Sequence, residues 1–473
     1  MLDYTLRIRD LVHGTILFTK EEAALINHPY FQRLRQIRQN DVAFYVYPSM
    51  NTSRFEHMLG VCRVAGMMAE TLTKSPKWND VYFRELKAET GISSIDEFVK
   101  VCRFYALLHD IGHFPLSHLF EYALQSWADP DYLPLIQEWT GFEGFEKLHE
   151  AFGALLTKKI VKDINLPPHI GHALLRLMGE KNLPFSNPLY VIKSIMDSEI
   201  DADRIDFVQR DGLMAGGEYG HYDVRRLCDS VFIEQRGNNW VVAYSEKAIT
   251  SMEAMLLDRY RTYNWVHFHH RVVTIKMLVR FLIERAIEIK SIAKEDFNPQ
   301  VEETFILKDD VWLWNVLRRM EARDKFVRMV QEALFYRKKT DILNLWKTRP
   351  AYHDFQKEVG GKTQLDAVTF RRKESYRNQI RKRMKINAMI FDLDFFRPTS
   401  DRATYLYSEE RRELTGETLV QVSKLVAYLP AIWQNEAQYF VLLVGNNIKS
   451  RAKEIAQQWI DATAHFVNNP TLW

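Results

Sequence analysis

The sequence predicts a mainly α protein: a helical bundle with small β insertions, followed by an α+β C-terminal region. Three observations lead to this class. HPYFQRLRQIRQ, GVCRVAGMMAETLTK, FVKVCRFYALLHD and RVVTIKMLVRFLIERAIEI repeat apolar residues at three- and four-residue spacing, the period of a helix with one buried stripe. Beyond Lys290, helical stretches around VWLWNVLRRM and VRMVQEALFY give way to the apolar runs INAMIFDL, ATYLYS and QYFVLLVG, which read as strands. Finally, 473 residues with 47% apolar, 13% aromatic and 26% charged side chains can bury a large core, which excludes general disorder and a small disulfide-held module.

Taken in order, the helical pattern runs from Asn27 to about Lys290. Within it, VAFYVYP before Ser49 is a candidate short strand, and VFIEQRGNNWVVAYS reads as a hairpin turning around Gly237 and Asn238. The change of pattern near Lys290 divides the chain into regions 1–290 and 291–473. Between the later helices and strands, Arg371 to Lys385 carries eight basic residues and one acid, Glu374. Such a run suits a solvated helix face, a phosphate-binding patch or a nucleic-acid surface.

Lys+Arg 64 against Asp+Glu 61 gives a formal charge of +3, so attraction to polyanions must come from local clusters, and histone-like binding is excluded. Cys62, Cys102 and Cys228 stand far apart without a CxxC pair; neither a disulfide framework nor a thiolate zinc site is expected. The charged N-terminus is unlike a signal peptide, and no apolar run approaches the ~18 residues that span a bilayer. The cytoplasm is the expected location, with no membrane partner.

The densest polar cluster in an apolar setting is LLHDIGHFPLSH, where His109 and Asp110 end a run of buried-looking residues. A buried carboxylate is costly unless it is paired or binds a cation, and an adjacent imidazole makes a metal site a natural resolution. Gly112 and Pro115 would end the helix there and let the two side chains converge. The plainer alternative is a capped or hydrogen-bonded core histidine. RFEHMLGV adds His57 three residues after Arg54, and SEIDADRIDFVQRD adds carboxylates from Glu199 to Asp211. On a helix Asp203, Phe207 and Asp211 share one face, with Arg204 beside the first. Two His and two Asp suit iron, manganese, zinc, magnesium or cobalt and leave coordination positions open.

These residues resemble the HD-domain deoxynucleoside triphosphate triphosphohydrolases, in particular the catalytic core of the SAM-and-HD-domain enzymes, here without a SAM domain. The likeness runs through VHGTI, FQRLRQIRQ, YVYPSMNTSRFEHMLGV, LLHDIGHFPLSHLFE, LHEAFG and DADRIDFVQRDGLMAGGEYGHYDVRRL, in family order, over about residues 5–285. It implies an HD-type phosphohydrolase core in residues 1–290 and a regulatory or oligomerisation role for 291–473.

The resemblance also implies residue roles. His57, His109, Asp110 and Asp203 would hold one divalent ion, with additional magnesium bound to the nucleotide. Arg54 and Arg204 would hold triphosphate oxygens, Arg204 replacing a more common Lys. His113, His118 and His149 would surround the phosphates, with Glu121 in place of an Asp and His118 as proton donor at the leaving oxygen. Gln39 and Asp211 would recognise a 3′-hydroxyl, and Phe207 stands where Tyr is common. In DRYRTYNWVHFHHR, Arg259 or Arg261 would contact phosphate and His267 or Phe268 would pack on the sugar. NHPYFQRLRQ matches a segment that builds an effector nucleotide site between subunits; Gln32 and Arg35 are kept, whereas Asn27 replaces an acid, so activation by GTP is not carried over.

The expected function is hydrolysis of a dNTP at the α-phosphorus, giving deoxynucleoside and inorganic triphosphate. The expected partners are the dNTP, further copies of the chain (dimer, tetramer or hexamer), and a nucleotide effector or single-stranded nucleic acid. The alternatives are another HD phosphohydrolase or phosphodiesterase acting on nucleotides, cyclic dinucleotides or single strands, and a non-catalytic nucleotide-sensing or nucleic-acid-binding protein.

Overall fold

Tyr4–Asp10 (β1) and Gly14–Thr19 (β2) pair as an antiparallel hairpin, with Gly14 at φ 72 in the turn, a conformation that favours glycine. The computed structural model describes residues 3–128, 134, 137–138, 140–141, 143, 145, 147–180, 182–297, 302–321, 324–338, 341–344, 388–394, 403–435, 439–445, 448–455, 457–458 and 461. The basic segment Arg371 to Lys385 lies outside them.

Thr19 starts α1 (Lys20–Ile26) through a reciprocal capping box with Glu22. The helix expected over HPYFQRLRQIRQ is shorter than its pattern: α2 covers Pro29–Arg33, a 3₁₀ turn follows at Leu34–Gln36, and Ile37 is extended. VAFYVYP is not a strand but holds a 3₁₀ turn, Ala43–Tyr45. Its amides are used locally, Ala43 N–H donating to Asn40 O and Val46 N–H to Ala43 O, so its alternating apolar residues have no ladder to join.

Ser53 and Glu56 form the capping box of α3 (Arg54–Leu72), a central helix buried on most of its surface. Around it lie α4 (Phe83–Thr90), α5 (Ile95–Leu108), α6 (His118–Ala128), α7 (Leu148–Asp163), α8 (Pro168–Gly179), α9 (Leu189–Met196) and α10 (Ala202–Met214). Helices α5 and α10 pack directly on α3. After α11 (Val224–Cys228) comes the expected hairpin, β3 (Val231–Arg236) and β4 (Asn239–Ser245), with Gly237 at φ 64. Next, α12 (Ile249–Thr262) runs into a π-helical turn at Tyr263–His267, and α13 (His270–Glu288) follows.

Beyond Lys290, α14 (Asp310–Arg319) and α15 (Lys325–Phe335) pack on α13. Strand β5 (Asp341–Asn344) joins β6 (Ala388–Asp394) and β9 (Tyr439–Gly445) in an antiparallel sheet ordered β5-β9-β6. Strand β7 (Tyr405–Ser408) pairs in parallel with β4 and is edged by β8 (Glu413–Thr418), extending the hairpin to four strands. Leu313, Leu317, Val327 and Val330 belong to the same apolar cluster as Met58, Cys62 and Leu107, so one core runs across Lys290. The architecture is mainly α, with small sheets and an α+β C-terminal region. No helix among the described residues is long and apolar enough to cross a membrane.

Candidate metal centre and active site

Helix α5 ends at Leu108 and His109 is its C-cap, the ending that brings the adjacent His109 and Asp110 side chains to one place. His57 comes from the first turns of α3 and Asp203 from the first turn of α10. His57, His109 and Asp110 offer ligand atoms within 4.8 Å of one another. Asp203 Oδ1 lies 2.9 Å from His57 Nε2 and 3.8 Å from His109 Nε2, which is 3.4 Å from Asp110 Oδ2.

Two observations test the fit to a cation. Each imidazole uses its Nδ1 elsewhere, His57 donating to Asp206 Oδ2 at 2.7 Å and His109 to the Ala106 carbonyl at 2.7 Å, which turns both Nε2 atoms toward the carboxylates. In addition, His109 Nε2 is buried and has no hydrogen-bond partner among the described residues. A His₂Asp₂ donor set of this kind fits a divalent ion.

Electrostatics point the same way. Burial opposes charge on both rings, yet Asp203 and Asp206 hold the His57 pKa above its ordinary value, and Asp110 and Asp203 hold that of His109 well above it. Burial also works against the two carboxylates, but Arg54 and His109 keep Asp110, and His109 and His57 keep Asp203, below the usual range. An incoming ion must displace the imidazole protons, so its apparent affinity rises with pH. Metal titrations should show at least about tenfold tighter binding near pH 8 than near pH 6; equal affinities would contradict this proton competition.

Behind His57 lies a buried network that leaves little trace in the sequence pattern. Asp206 accepts from His13 Nε2 at 2.6 Å and from Arg210 Nε and Nη2, both at 2.8 Å, while Asp10 accepts from Arg210 Nη1 at 2.9 Å. Gly60 is its signature in the sequence. A Cβ there would sit 1.9 Å from Asp206 Oδ1, and a glycine inside an apolar helix pattern marks such a close approach.

Beside the quartet, the buried Arg54 donates through Nε to Ser117 Oγ at 2.8 Å and through Nη1 to Asp110 Oδ2. His113 Nε2 is 3.3 Å from Asp110 Oδ1, and its ring stacks on His149 at 4.1 Å between centroids. His118, at the start of α6, meets both rings edge-on and has 48% of its side chain exposed. These three rings form a second group whose ligand atoms lie within 4.8 Å of one another. Glu121 accepts from His149 Nδ1 at 2.6 Å, and despite burial His149 and His118 hold its carboxyl well below the usual range. Burial, Arg54 and His149 push the His113 pKa well down, so at neutral pH it is a neutral imidazole.

The remaining expected residues are arranged less uniformly. The Arg204 guanidinium is tied to Asp201 and the Ser198 carbonyl instead of standing free for a triphosphate. Asp211 accepts from Asn40 Nδ2 at 2.6 Å on Oδ1, while its buried Oδ2 has no hydrogen bond among the described residues and faces His267 Nε2 at 3.4 Å. Gln39 Oε1 is also buried and has no partner among the described residues. Phe207 meets Tyr263 edge-on at 6.3 Å. Of each pair of alternatives, Arg259 is buried against Glu199 at 2.9 Å while Arg261 pairs with Asp258 at a more open position; His267 reaches Asp211, whereas Phe268 packs in the core. Gln32 donates to the Ile26 carbonyl and accepts from Arg35, whose guanidinium lies 3.6 Å over the Phe55 ring.

The HD domain model matches residues 54–208, the helical scaffold that carries these paired His and Asp side chains. The chain is similar to an uncharacterized protein, MJ1154, of Methanocaldococcus jannaschii, 29% identical over 294 residues, covering 61% of this chain and 52% of that one. It is also similar to the human deoxynucleoside triphosphate triphosphohydrolase SAMHD1, 27% identical over 290 residues, covering 57% of this chain and 42% of that one. The matches thus span about half the length of these curated relatives. A solved phosphohydrolase from Bacteroides thetaiotaomicron shares the fold at a TM-score of 0.63 and 19% identity, covering 93% of this chain and 100% of that one. A hypothetical protein from Aquifex aeolicus does so at 0.61 and 20%, covering 96% and 99%.

Proposed function

We propose that the protein hydrolyses deoxynucleoside triphosphates at the α-phosphorus, releasing deoxynucleoside and inorganic triphosphate. The observation that carries this reading is the joining of two groups through one residue: Asp110 belongs to the candidate metal quartet and contacts both Arg54 and His113. A divalent ion held by His57, His109, Asp110 and Asp203 would supply Lewis acidity at a phosphoryl oxygen and lower the pKa of water. Arg54, fixed at both ends of its guanidinium, is preorganised to stabilise charge on the phosphates. His118, the exposed member of the histidine group, is assigned the proton for the departing 5′-oxygen, while Glu121 accepts from the His149 ring. Asp211 Oδ2 and Gln39 Oε1 are acceptors without hydrogen bonds among the described residues, suited to a 3′-hydroxyl.

Residues 1–290 are assigned the catalysis and 291–473 a regulatory or assembly role, the working form being a homo-oligomer whose size sedimentation would measure. Incubation with each dNTP and NTP plus Mg²⁺, Mn²⁺, Fe²⁺ or Co²⁺, with chromatography of products, tests the reaction. Intact triphosphate is expected. Monophosphate with pyrophosphate, or diphosphate with phosphate, would reassign the site to another phosphohydrolase. Deoxy forms should be preferred by about ten- to hundredfold, because a 2′-hydroxyl left unpaired against Phe207 costs ~1–3 kcal/mol; equal kcat/KM for ribo and deoxy pairs would remove the sugar assignment.

A further inference from the structure

The loop joining His113 to His118 holds a conformation that its own residues do not favour. Leu116 and Ser117 stand consecutively at φ 53 and φ 54, a left-handed region that non-glycine residues enter only when their surroundings enforce it. The enforcement comes from the far side of Lys290. Asp310, the buried first residue of α14, accepts from Leu116 N–H at 2.7 Å on Oδ1 and from Arg38 N–H at 3.0 Å and Arg38 Nη1 at 3.3 Å on Oδ2. The Arg38 carbonyl accepts from Ser117 Oγ at 2.8 Å, and Ser117 Oγ accepts from Arg54 Nε. At the other end of the loop, buried Arg33 donates to the His113 carbonyl at 2.8 Å and to the Lys308 carbonyl at 3.0 and 2.8 Å.

We propose that Asp310 and Arg33 are positioning residues, by which the segment 308–310 clamps both ends of the His113–His118 loop and so sets where Arg54 and His118 meet a phosphate. The inference rests on the phosphohydrolase reading for its catalytic meaning; the clamp itself is tested without it. Displacement of reacting groups by about 1 Å costs on the order of a hundredfold in rate, so a shift of that size on loss of the clamp would register in turnover.

The test compares the full chain with Asp310→Asn, which keeps the shape but opposes an amide to Leu116 N–H or to Arg38. A control, Asp324→Ala, removes the N-cap of α15, where the carboxylate accepts from Phe326 N–H at 2.7 Å. Co²⁺ uptake, calorimetric binding of inorganic tripolyphosphate, and kcat and KM on the best nucleotide are measured for each. In Asp310→Asn, tripolyphosphate affinity and kcat should each fall about tenfold or more while one Co²⁺ per chain is retained, and Asp324→Ala should match the parent in all three. If Asp310→Asn does not fold, Ser117→Ala, which cuts the link to Arg54 Nε, should give the same pattern. Parent-like tripolyphosphate affinity and kcat in the folded variants, or Co²⁺ lost in step with them, would overturn the clamp. A parent protein that turns over no nucleotide would sink the functional reading alone, since tripolyphosphate binding still reports on the loop.

Discussion

Asp203→Ala is expected to yield a helical protein that retains no stoichiometric divalent ion and has lost at least about three orders of magnitude in turnover, since a metal's contribution of several kcal/mol converts at ~1.4 kcal/mol per tenfold. Asp203 is the cleaner of the two carboxylates to remove. Its side chain is 33% exposed and, among the described residues, its ion pairs are with His57 and His109, each of which keeps a second acidic neighbour in the variant. Asp110→Ala should abolish metal and activity as fully but at a further cost in stability, because Arg54 and His113 lose a shared partner and breaking a buried pair costs about 3–5 kcal/mol. Elemental analysis, circular dichroism and turnover separate these effects. Undiminished metal content in both variants would refute the quartet.

Asp206→Ala should be the most destabilising of the single changes considered, although Asp206 stands outside the candidate metal quartet. It accepts from His13, His57 and Arg210 in a fully buried setting. Its loss strands a guanidinium held otherwise by Asp10, at about 3–5 kcal/mol, a large share of a typical folding stability of ~5–15 kcal/mol. The His57 ring also loses the acceptor that fixes its tautomer, for which a ten- to hundredfold drop in metal affinity is the usual order. Burial would push the Asp206 carboxyl up, but Arg210, His13 and His57 hold it well below the usual range. A depressed carboxyl pKa contributes stability above the unfolded value of ~3.9, and that contribution disappears as pH falls through the folded pKa. The parent should therefore lose stability at acid pH more steeply than the variant. Thermal unfolding from about pH 3 to 7, with metal titration at neutral pH, measures both; parent-like unfolding and affinity would show that the network is dispensable.

Much of the scaffold was legible. The pattern in RVVTIKMLVRFLIERAIEI predicts a helix where His270–Glu288 forms one, and VFIEQRGNNWVVAYS predicts the observed hairpin. VAFYVYP misled because alternation describes a face, and its amides were already bonded to Asn40 and Ala43. In the site, His109 and Asp110 announce themselves as polar residues at the end of an apolar helix. Asp206 does not, because a carboxylate three residues after Asp203 on a charged helix reads equally well as a solvated one.

Most of the longer helices, the large apolar core and the side chains able to ligate a cation can be read from the chain alone, because periodicity and residue chemistry are local properties. Packing in three dimensions sets the rest: Asp203 faces His109 while Asp206 turns to His13 and Arg210, His267 and not Phe268 reaches Asp211, and Asp310 holds Leu116 from 194 residues away. The physical reason is the cost of burying charge: a buried ion must find its partner wherever packing brings one, and that partner's place along the chain follows no period.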